Sequence, residues 1–342
     1  MAKQSSWASM DSPRILIAKT TQLGDVVISL PMAARLKQHF SGCTVFFLTQ
    51  GRTQDVAARC LDIDAAYEMP QTFEELVGLL AGLRLDVFIQ ANTSQHLAEA
   101  AKAAQIPMRI GSAFRWYNWP LCSHRVLISR GYRHLNKRLL DLQYLRPLGV
   151  TVPAIDGLAA LYRFSQQDAS AIVAKLGLNL TKRRIILHPT LITARIHQWP
   201  LEAFQALMNS FDPNIYQWVI TGTQADREYL GELLAHHGEV DLVDSVGQLS
   251  LDELVTLMQN CHGIVVGNTG PLHLAAALGI NTLGFYQANV AVQKRWAAVG
   301  RSVTLLQSNT VCQGDKSGSR CPCVKNITVT QVADVIAAWF EK

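Results

Sequence analysis

The chain has 342 residues, of which 49% are hydrophobic and 17% charged, and its formal net charge is +5. This composition excludes a disordered chain, and the length favours two globular domains over one. No apolar run reaches the roughly 18 residues that a membrane-spanning helix needs, and the first residues, MAKQSSWASMDSPR, lack the apolar stretch of a signal peptide. We therefore expect a cytoplasmic protein.

Short β-rich runs alternate with helix-length segments along the whole chain, which predicts an α/β fold with parallel sheets covered by helices. A cluster of Pro and Gly near 148–156 divides the chain, so we predict domains at residues 1–152 and 153–342. A closing helix is expected at Asn326–Phe340. The predicted strands are Arg14–Lys19, Thr44–Leu48, Asp86–Gln90, Arg184–His188, Tyr216–Thr221, Gly263–Gly267 and Thr282–Phe285. The clearest predicted helices are Thr72–Leu83, Leu201–Ser210, Asp226–His236 and Leu251–Gln259.

The first motif is ILIAKTTQLGDVVISLP, in which a strand ends at Lys19 and an apolar helical run follows Gly24. Open α/β sheets bind ligands at such turns, because backbone amides and helix starts converge there. Asp25 therefore lies at a plausible reaction site. The structural alternative is that Asp25 only caps the helix. Pro31 indicates a second helical start within the same run.

Positive charge is concentrated in the first domain. Nine Lys or Arg residues lie between Lys102 and Arg146, against the single acid Asp141, and aromatic residues interleave with them from Phe114 to His134. Arginine side chains suit carboxylates and phosphates, so the segment predicts an anionic partner. No nucleic-acid motif accompanies it, and nucleic acid is not favoured. A solvated basic face is the alternative.

Two metal sites are considered and not assigned. The seven cysteines include a group at Cys312, Cys321 and Cys323, but no fourth zinc ligand lies near them in sequence. Asp62-Ile63-Asp64 matches the D-x-D pattern of many metal-dependent sugar transferases, but it precedes a predicted edge strand, AAYEM. We expect reduced thiols and no metal site.

The second motif, IILHPTLITARIHQWPLEAF, is a strand, a polar loop and a helix that opens at Trp199-Pro200. Thr190 and His197 in this loop could reach anionic oxygens of a ligand. The alternative is a solvated loop whose Trp199 anchors the helix to the core.

The third motif, GIVVGNTGPLHLAAALG, runs from a buried strand through Asn268, Thr269 and Gly270 into a helix that ends at Gly279. Unpaired N–H groups and the positive end of the helix dipole can hold a diphosphate there. His273 lies one turn into the helix and could face the same ligand. A core histidine is the alternative.

Taken in order, these motifs resemble glycosyltransferase family 9, the heptosyltransferases of lipopolysaccharide core assembly, over nearly the whole chain. The resemblance rests on ILIAKTTQLGDVVISLP, RIGSAFRWYNW, the loop that ends in HQWP, and NTGPLHLAAALG. It implies a GT-B architecture with two Rossmann-like lobes facing a central cleft. It also implies inverting transfer from ADP-heptose without a metal or other cofactor, to an anionic saccharide of the lipopolysaccharide core.

The resemblance assigns residues to roles. Asp25 falls on the family's catalytic aspartate and would act as general base toward the acceptor hydroxyl. The donor-binding assignments are Thr190, His197, Asn268, Thr269, Gly270 and His273. The acceptor-binding assignments are Lys19, Gln22 and Arg115.

Two positions depart from the family pattern. His197 stands where many members have a lysine, and Asn268 stands where an aspartate is common. Both changes concern the donor, so a transferase with another nucleotide sugar stays an alternative. A catalytically silent glycan-binding or nucleotide-sugar-binding protein is another, and a two-lobed epimerase is a third. If the acceptor is lipid-linked, the Arg-rich and Trp-rich segment is expected to contact the inner membrane peripherally.

Overall fold

The computed structural model describes residues 12–128, 135–190, 198–235, 240–286, 290–308 and 322–341. The chain divides into two compact units, Met1–Ser165 and Gln166–Lys342. In the described ranges no helix combines the length and apolar character needed to cross a bilayer.

The first unit contains a parallel sheet of six strands in the order β3-β2-β1-β4-β5-β6. Its strands are β1 (Arg14–Ala18), β2 (Thr44–Thr49), β3 (Ala65–Glu68), β4 (Val87–Gln90), β5 (Met108–Ser112) and β6 (His124–Val126). Its helices are α1 (Leu23–Ser29), α2 (Pro31–His39), α3 (Thr53–Ala58), α4 (Phe73–Gly82), α5 (Gln95–Ala103), α6 (Asn118–Leu121) and α7 (Lys137–Leu142).

The second unit repeats this topology, with six parallel strands in the order β12-β11-β10-β7-β8-β9. Its strands are β7 (Arg183–His188), β8 (Tyr216–Ile220), β9 (Leu242–Asp244), β10 (Gly263–Gly267), β11 (Asn281–Tyr286) and β12 (Val303–Gln307). Its helices are α8 (Ser170–Leu176), α9 (Leu201–Asn209), α10 (Gly231–Leu234), α11 (Leu251–Gln259), α12 (Gly270–Leu278), α13 (Val290–Trp296) and α14 (Val329–Ala338).

Both sheets reverse their winding direction at one point. In the first unit β1 lies between β2 and β4, and in the second β7 lies between β8 and β10. Successive strands are added on one side of the central strand and then on the other, as in doubly wound nucleotide-binding folds. The loops that leave β1, β4, β7 and β10 at their carboxyl ends therefore flank the positions where such sheets bind ligands.

The division between the units falls after Ser165, later than the predicted boundary at residue 152. The intervening segment packs on the first unit. The Tyr162 hydroxyl accepts a hydrogen bond from Arg138 Nε at 2.6 Å, and the Leu61 amide donates to the Arg163 carbonyl at 2.8 Å. These contacts link the segment to the first unit although the strand-helix pattern has already been interrupted.

The core of the second unit is rich in aromatic rings. Trp199 is 2% exposed, stacks on Phe285 and packs edge-on against Phe204. Its indole N–H donates to the Ile327 carbonyl at 2.8 Å, just before α14. The interpretation of Trp199 as an anchor for the following helix is thus confirmed, and the same side chain also ties the C-terminal helix to this core.

Candidate active site

The turn after β1 is held to the turn after β4 at the switch point of the first sheet. The Thr20 amide donates to Asn92 Oδ1 at 3.0 Å, and Lys19 Nζ donates to the Ala91 carbonyl at 3.2 Å. These bonds fix the chain that leads into α1, and with it the position of Asp25.

Asp25 lies in the first turn of α1, and its side chain is 28% exposed. The N-cap residue of this helix is Gln22, whose side chain makes no capping hydrogen bond. Helix capping by Asp25, the structural alternative from the sequence, is therefore not what the structure shows. Pro31 begins the separate helix α2, as its position in the sequence indicated. Asp25 is a reachable carboxylate at a ligand-binding edge.

Asp25 lies beside a buried cluster of charged side chains. Lys19 Nζ is 3.9 Å from Asp25 Oδ1 and 3.1 Å from Asp141 Oδ2. Asp141 also accepts hydrogen bonds from Ser29 Oγ at 2.8 Å and from Lys137 Nζ. The Lys19 and Asp141 side chains are only 3% and 2% exposed, whereas that of Lys137 is 17% exposed. Two lysines and two aspartates thus form a neutral group at the switch point.

Burial and ion pairing act in opposite directions on this cluster. Burial alone lowers the pKa of Lys19, but the carboxylates of Asp141 and Asp25 outweigh it and raise that pKa above its ordinary value. Burial alone raises the pKa of Asp141, but Lys137 and Lys19 outweigh it and hold that pKa below its ordinary value. Burial lowers the pKa of Lys137, and Lys19 adds to this effect. Lys19 and Asp141 are therefore held in their charged forms.

The three predicted acceptor contacts lie in different surroundings. Gln22 and Arg115 are exposed, Gln22 before α1 and Arg115 in the turn that follows β5. Lys19 is buried, and its ammonium group already donates to Asp141 and Ala91. This geometry favours a role for Lys19 in supporting Asp25 over direct contact with an acceptor.

A basic aromatic surface is formed by the turn after β5, by α6 and by β6 with the residue that follows it. It exposes Phe114, Trp116, Trp119 and Leu127, whose exposed fractions lie between 53% and 77%. The Arg125 guanidinium lies over the Trp119 ring, 4.7 Å from its centre. The single acid of this part of the sequence, Asp141, is buried, so it does not neutralise the exposed cations.

In the second unit, a cavity lies at the switch point between β7 and β10. Its lining includes His188 and Thr190 from the end of β7, and Gly267 and Thr269 from the end of β10. Gln198 also lines it and donates to the Thr190 carbonyl. Two of the predicted donor-binding residues, Thr190 and Thr269, are therefore brought together although 79 residues separate them in the sequence.

Helix α12 begins at this cavity. Thr269 is its N-cap, but the hydroxyl does not cap the helix, in contrast to Ser250 and Thr328, which cap α11 and α14. Gly270 opens the helix, and Asn268 is half-buried in the turn. The first amides of α12 are thus left without a side-chain acceptor from the N-cap, as a site for an anion requires. His273 is 4% exposed one turn further on.

His188 is a site residue that sequence reasoning missed. Its Nδ1 lies 2.8 Å from Thr221 Oγ1, and the ring is 8% exposed. Burial lowers the pKa of His188 to about 4, despite an opposing effect of Asp226. The ring is therefore neutral at pH 7. Its only signal in the sequence is that it ends a predicted strand at the ligand-binding edge.

Some predictions concern residues that the structure does not describe, namely His197, Cys312 and Cys321. The carboxylates of the D-x-D string make structural contacts: Asp62 pairs with Arg163, and Asp64 accepts from Lys37 Nζ and the Val45 amide at 2.6 Å. Within the described ranges, no group of three or more His, Cys, Asp or Glu side chains is arranged to hold a metal ion.

Comparison with known proteins gives consistent results. The model of glycosyltransferase family 9 (heptosyltransferase) matches residues 76–324. Lipooligosaccharide heptosyltransferase 2 of Haemophilus influenzae is 22% identical over 288 residues, which is 80% of this chain and 82% of that protein.

Solved structures show the same fold. The structure of E. coli ADP-heptose lipopolysaccharide heptosyltransferase II superposes with a TM-score of 0.78 at 18% identity, over 95% of this chain and 98% of the other. E. coli heptosyltransferase WaaC with ADP gives a TM-score of 0.73 at 14% identity, over 95% of this chain and 99% of the other.

The two parallel sheets and these likenesses define a GT-B-like α/β fold, as the sequence predicted. A protein with this fold and this family match is a glycosyltransferase. The chain belongs to glycosyltransferase family 9, the heptosyltransferase family.

Proposed function

We propose that the protein transfers a heptose from ADP-heptose to an anionic saccharide of the lipopolysaccharide core, with inversion at the anomeric carbon and without a metal. The observation that carries the proposal is the position of Asp25, a partly exposed carboxylate in the first turn of α1 at the switch point of the first sheet. The lipooligosaccharide heptosyltransferase 2 match and the ADP complex of WaaC support this choice of acceptor and donor.

In this mechanism, the acceptor hydroxyl oxygen attacks the anomeric carbon while its proton passes to the Asp25 carboxylate. The bond between the anomeric carbon and the diphosphate oxygen breaks, and ADP leaves. A single displacement inverts the anomeric configuration. Positioned general bases of this kind contribute about 10²- to 10⁴-fold to the rate.

The second unit would hold the donor at the start of α12. The backbone amides at Gly270 and the hydroxyl of Thr269 would bind the diphosphate, and the helix dipole would stabilise the negative charge that develops on the leaving group. Thr190, Asn268 and His273 would complete this site. His197, outside the described residues, is proposed as a further contact with the phosphates.

The acceptor would bind in the first unit through Gln22 and Arg115. A negatively charged saccharide suits the exposed arginines at the ends of β5 and β6. The neighbouring basic aromatic surface is proposed to contact anionic lipid on the cytoplasmic face of the inner membrane, because exposed tryptophans suit the interface. Sedimentation with vesicles containing an anionic phospholipid tests this contact. Absence of binding at low salt would contradict it.

The donor assignment is tested by calorimetric titration with ADP, UDP and GDP at about pH 6 and about pH 8. Selective binding of ADP is expected. If His197 contributes a charged contact, binding weakens at the higher pH, because a histidine loses its charge across this range. Selective binding of UDP or GDP would mean that the donor carries that nucleotide in place of ADP. If the protein bound none of the three nucleotides, the alternative of a catalytically silent binding protein would be favoured.

A further inference from the structure

Asp141 holds the only buried ammonium group that contacts Asp25 among the described residues. The carboxylate of Asp141 is 2% exposed and receives Ser29 Oγ, Lys19 Nζ and Lys137 Nζ. Removing one partner from such a buried group leaves an uncompensated buried charge, which is strongly destabilising.

The two carboxylates hold Lys19 unequally. Its Nζ donates to Asp141 Oδ2 at 3.1 Å and to the Ala91 carbonyl at 3.2 Å, whereas Asp25 Oδ1 lies at 3.9 Å. The first two distances are hydrogen bonds, and the third is a charge contact only. Lys19 therefore makes its hydrogen bonds to these two other acceptors and not to Asp25.

Charged groups on every element packed against α1 contribute to the field at Asp25. Helix α7 carries Lys137, Arg138 and Asp141, and α3 carries Asp55. Arg138 donates to the Tyr162 hydroxyl. Asp25 interacts electrostatically with Lys19 and with Lys137.

We propose that Lys19 and Asp141 are positioning residues that act on Asp25 in opposite directions. Lys19 places a cation 3.9 Å from the Asp25 carboxylate, and Asp141 restrains Lys19 so that Asp25 stays available to accept the acceptor proton. Lys137 shares Asp141 with Lys19 and so sets how much of the counter-charge Lys19 receives. This inference rests on the proposed role of Asp25 as general base.

Because Lys19 and Asp141 are proposed to act on Asp25 in opposite directions, substitutions at the two positions should shift the pH profile in opposite directions. In Asp141→Asn, the two ammonium groups lose their counter-charge and Lys19 can pair directly with Asp25. The acidic limb of the pH profile of kcat/KM then moves to lower pH by about one pH unit, and kcat falls by about 10-fold. In Lys19→Met, Asp25 loses its nearby cation and faces Asp141. The acidic limb then moves to higher pH by about one pH unit.

Two further variants complete the experiment. Lys37→Met removes an ion pair with Asp64 elsewhere in the first unit and is expected to leave the limb in place. Lys137→Met removes one of the two cations and is expected to move the limb upward by less than Lys19→Met does. It replaces Asp141→Asn if that variant does not fold. Circular dichroism and urea denaturation show for each variant whether the first unit is folded.

Opposite shifts in Asp141→Asn and Lys19→Met support the proposal. Two results would overturn it and leave a purely structural role for the cluster. One is a shift of the acidic limb in the same direction in Asp141→Asn and Lys19→Met. The other is no shift in either Lys19→Met or Lys137→Met. Asp25→Asn separates this failure from failure of the proposed function. If that variant retains transfer, the general base itself is wrong, whatever the other profiles show.

Discussion

Lys19 and Asp141 form a buried ion pair of 3.1 Å between residues 122 positions apart in the chain. The pair joins the turn after β1 to α7, so it fixes the entry to α1 on which Asp25 lies. Since both side chains are almost fully buried, the pair is shielded from the solvent screening that weakens surface ion pairs.

Thr269 and Thr328 are both N-cap residues in the second unit, but only Thr328 caps its own helix. We expect Thr269→Ala to weaken ADP binding by about 10-fold, because a hydrogen bond to a charged phosphate is lost. The free energy of unfolding should change little. Calorimetric titration and chemical denaturation measure the two effects.

The matched control, Thr328→Ala, should show the reverse pattern. Loss of the capping box of α14 costs about 1 kcal/mol of stability, while ADP binding stays unchanged. Equal ADP affinity for wild type and Thr269→Ala would remove Thr269 from the donor site.

The buried ring of His188 predicts a loss of stability in acid. Its pKa of about 4 in the folded protein lies below the 6.5 of the unfolded chain, so the unfolded state binds more protons between these values. This contribution to the free energy of unfolding is complete above pH 6.5 and falls by about 3 kcal/mol by pH 4.

Urea denaturation of wild type and His188→Gln between pH 4 and pH 7.5 measures this effect. The difference between the two proteins should depend on pH with this sign. The control, His96→Gln, changes an exposed histidine and should give a difference that does not vary. The same pH dependence in wild type and His188→Gln would show that His188 does not titrate as described.

The indole of Trp199 predicts a specific stability effect. Trp199→Phe keeps an aromatic ring in the core but leaves the buried Ile327 carbonyl without its donor. We expect a loss of about 1–3 kcal/mol in the free energy of unfolding. Trp116→Phe, at a side chain that is 77% exposed, should change it by less than about 0.5 kcal/mol. Thermal and chemical denaturation measure both variants. If Trp199→Phe and Trp116→Phe changed the free energy of unfolding equally, this role of the indole would be refuted.

Gly111 leaves no space for a side chain. A Cβ atom there would lie 2.7 Å from Cys122 Sγ and 2.9 Å from Asn118 Nδ2. Since Asn118 Nδ2 donates to the Ser112 carbonyl at 2.9 Å, Gly111→Ala should disturb the turn that carries Arg115 and destabilise the first unit by about 1–3 kcal/mol.

Gly78 offers the matched control for that substitution. It lies inside α4, and a Cβ atom there would meet nothing within 4 Å. Gly78→Ala should stabilise the protein by about 0.5–1 kcal/mol, because alanine favours the helix. A similar melting temperature for both variants would contradict the packing described at Gly111.

Local patterns predicted seven strands and the edge strand AAYEM, whereas β5, β6, β9 and β12 were not predicted. The strands at Gly263–Gly267 and near Thr44 are continuous apolar runs, as expected for strands buried on both faces, and the structure confirms them. The predicted helix Asp226–His236 is shorter in the described residues: a 3₁₀ turn occupies Gln224–Asp226 and α10 begins at Gly231. The capping box between Thr223 and Asp226 starts the 3₁₀ turn, and its contribution was not recognised in the sequence.

Long-range pairing could not be predicted in the same way. The sequence marks Asp141 as the single acid among nine cations, but nothing local shows that it lies beside Lys19. The same applies to His188 and Thr221, which belong to neighbouring strands. The residues proposed to contact ligands lie in motifs at strand ends, so the sequence predicts them. The residues that support them are not predicted, because their positions depend on which helix packs over the turn.

The general-base role of Asp25 is tested by measuring transfer by Asp25→Asn, as release of ADP from ADP-heptose in the presence of a lipopolysaccharide core that lacks the heptose. Asp156→Asn, at an exposed aspartate of the same unit, is the matched control. We predict that Asp25→Asn lowers kcat by about 10²- to 10⁴-fold while ADP affinity and the control stay at wild-type values. Transfer by Asp25→Asn at the wild-type rate would show that Asp25 is not the general base.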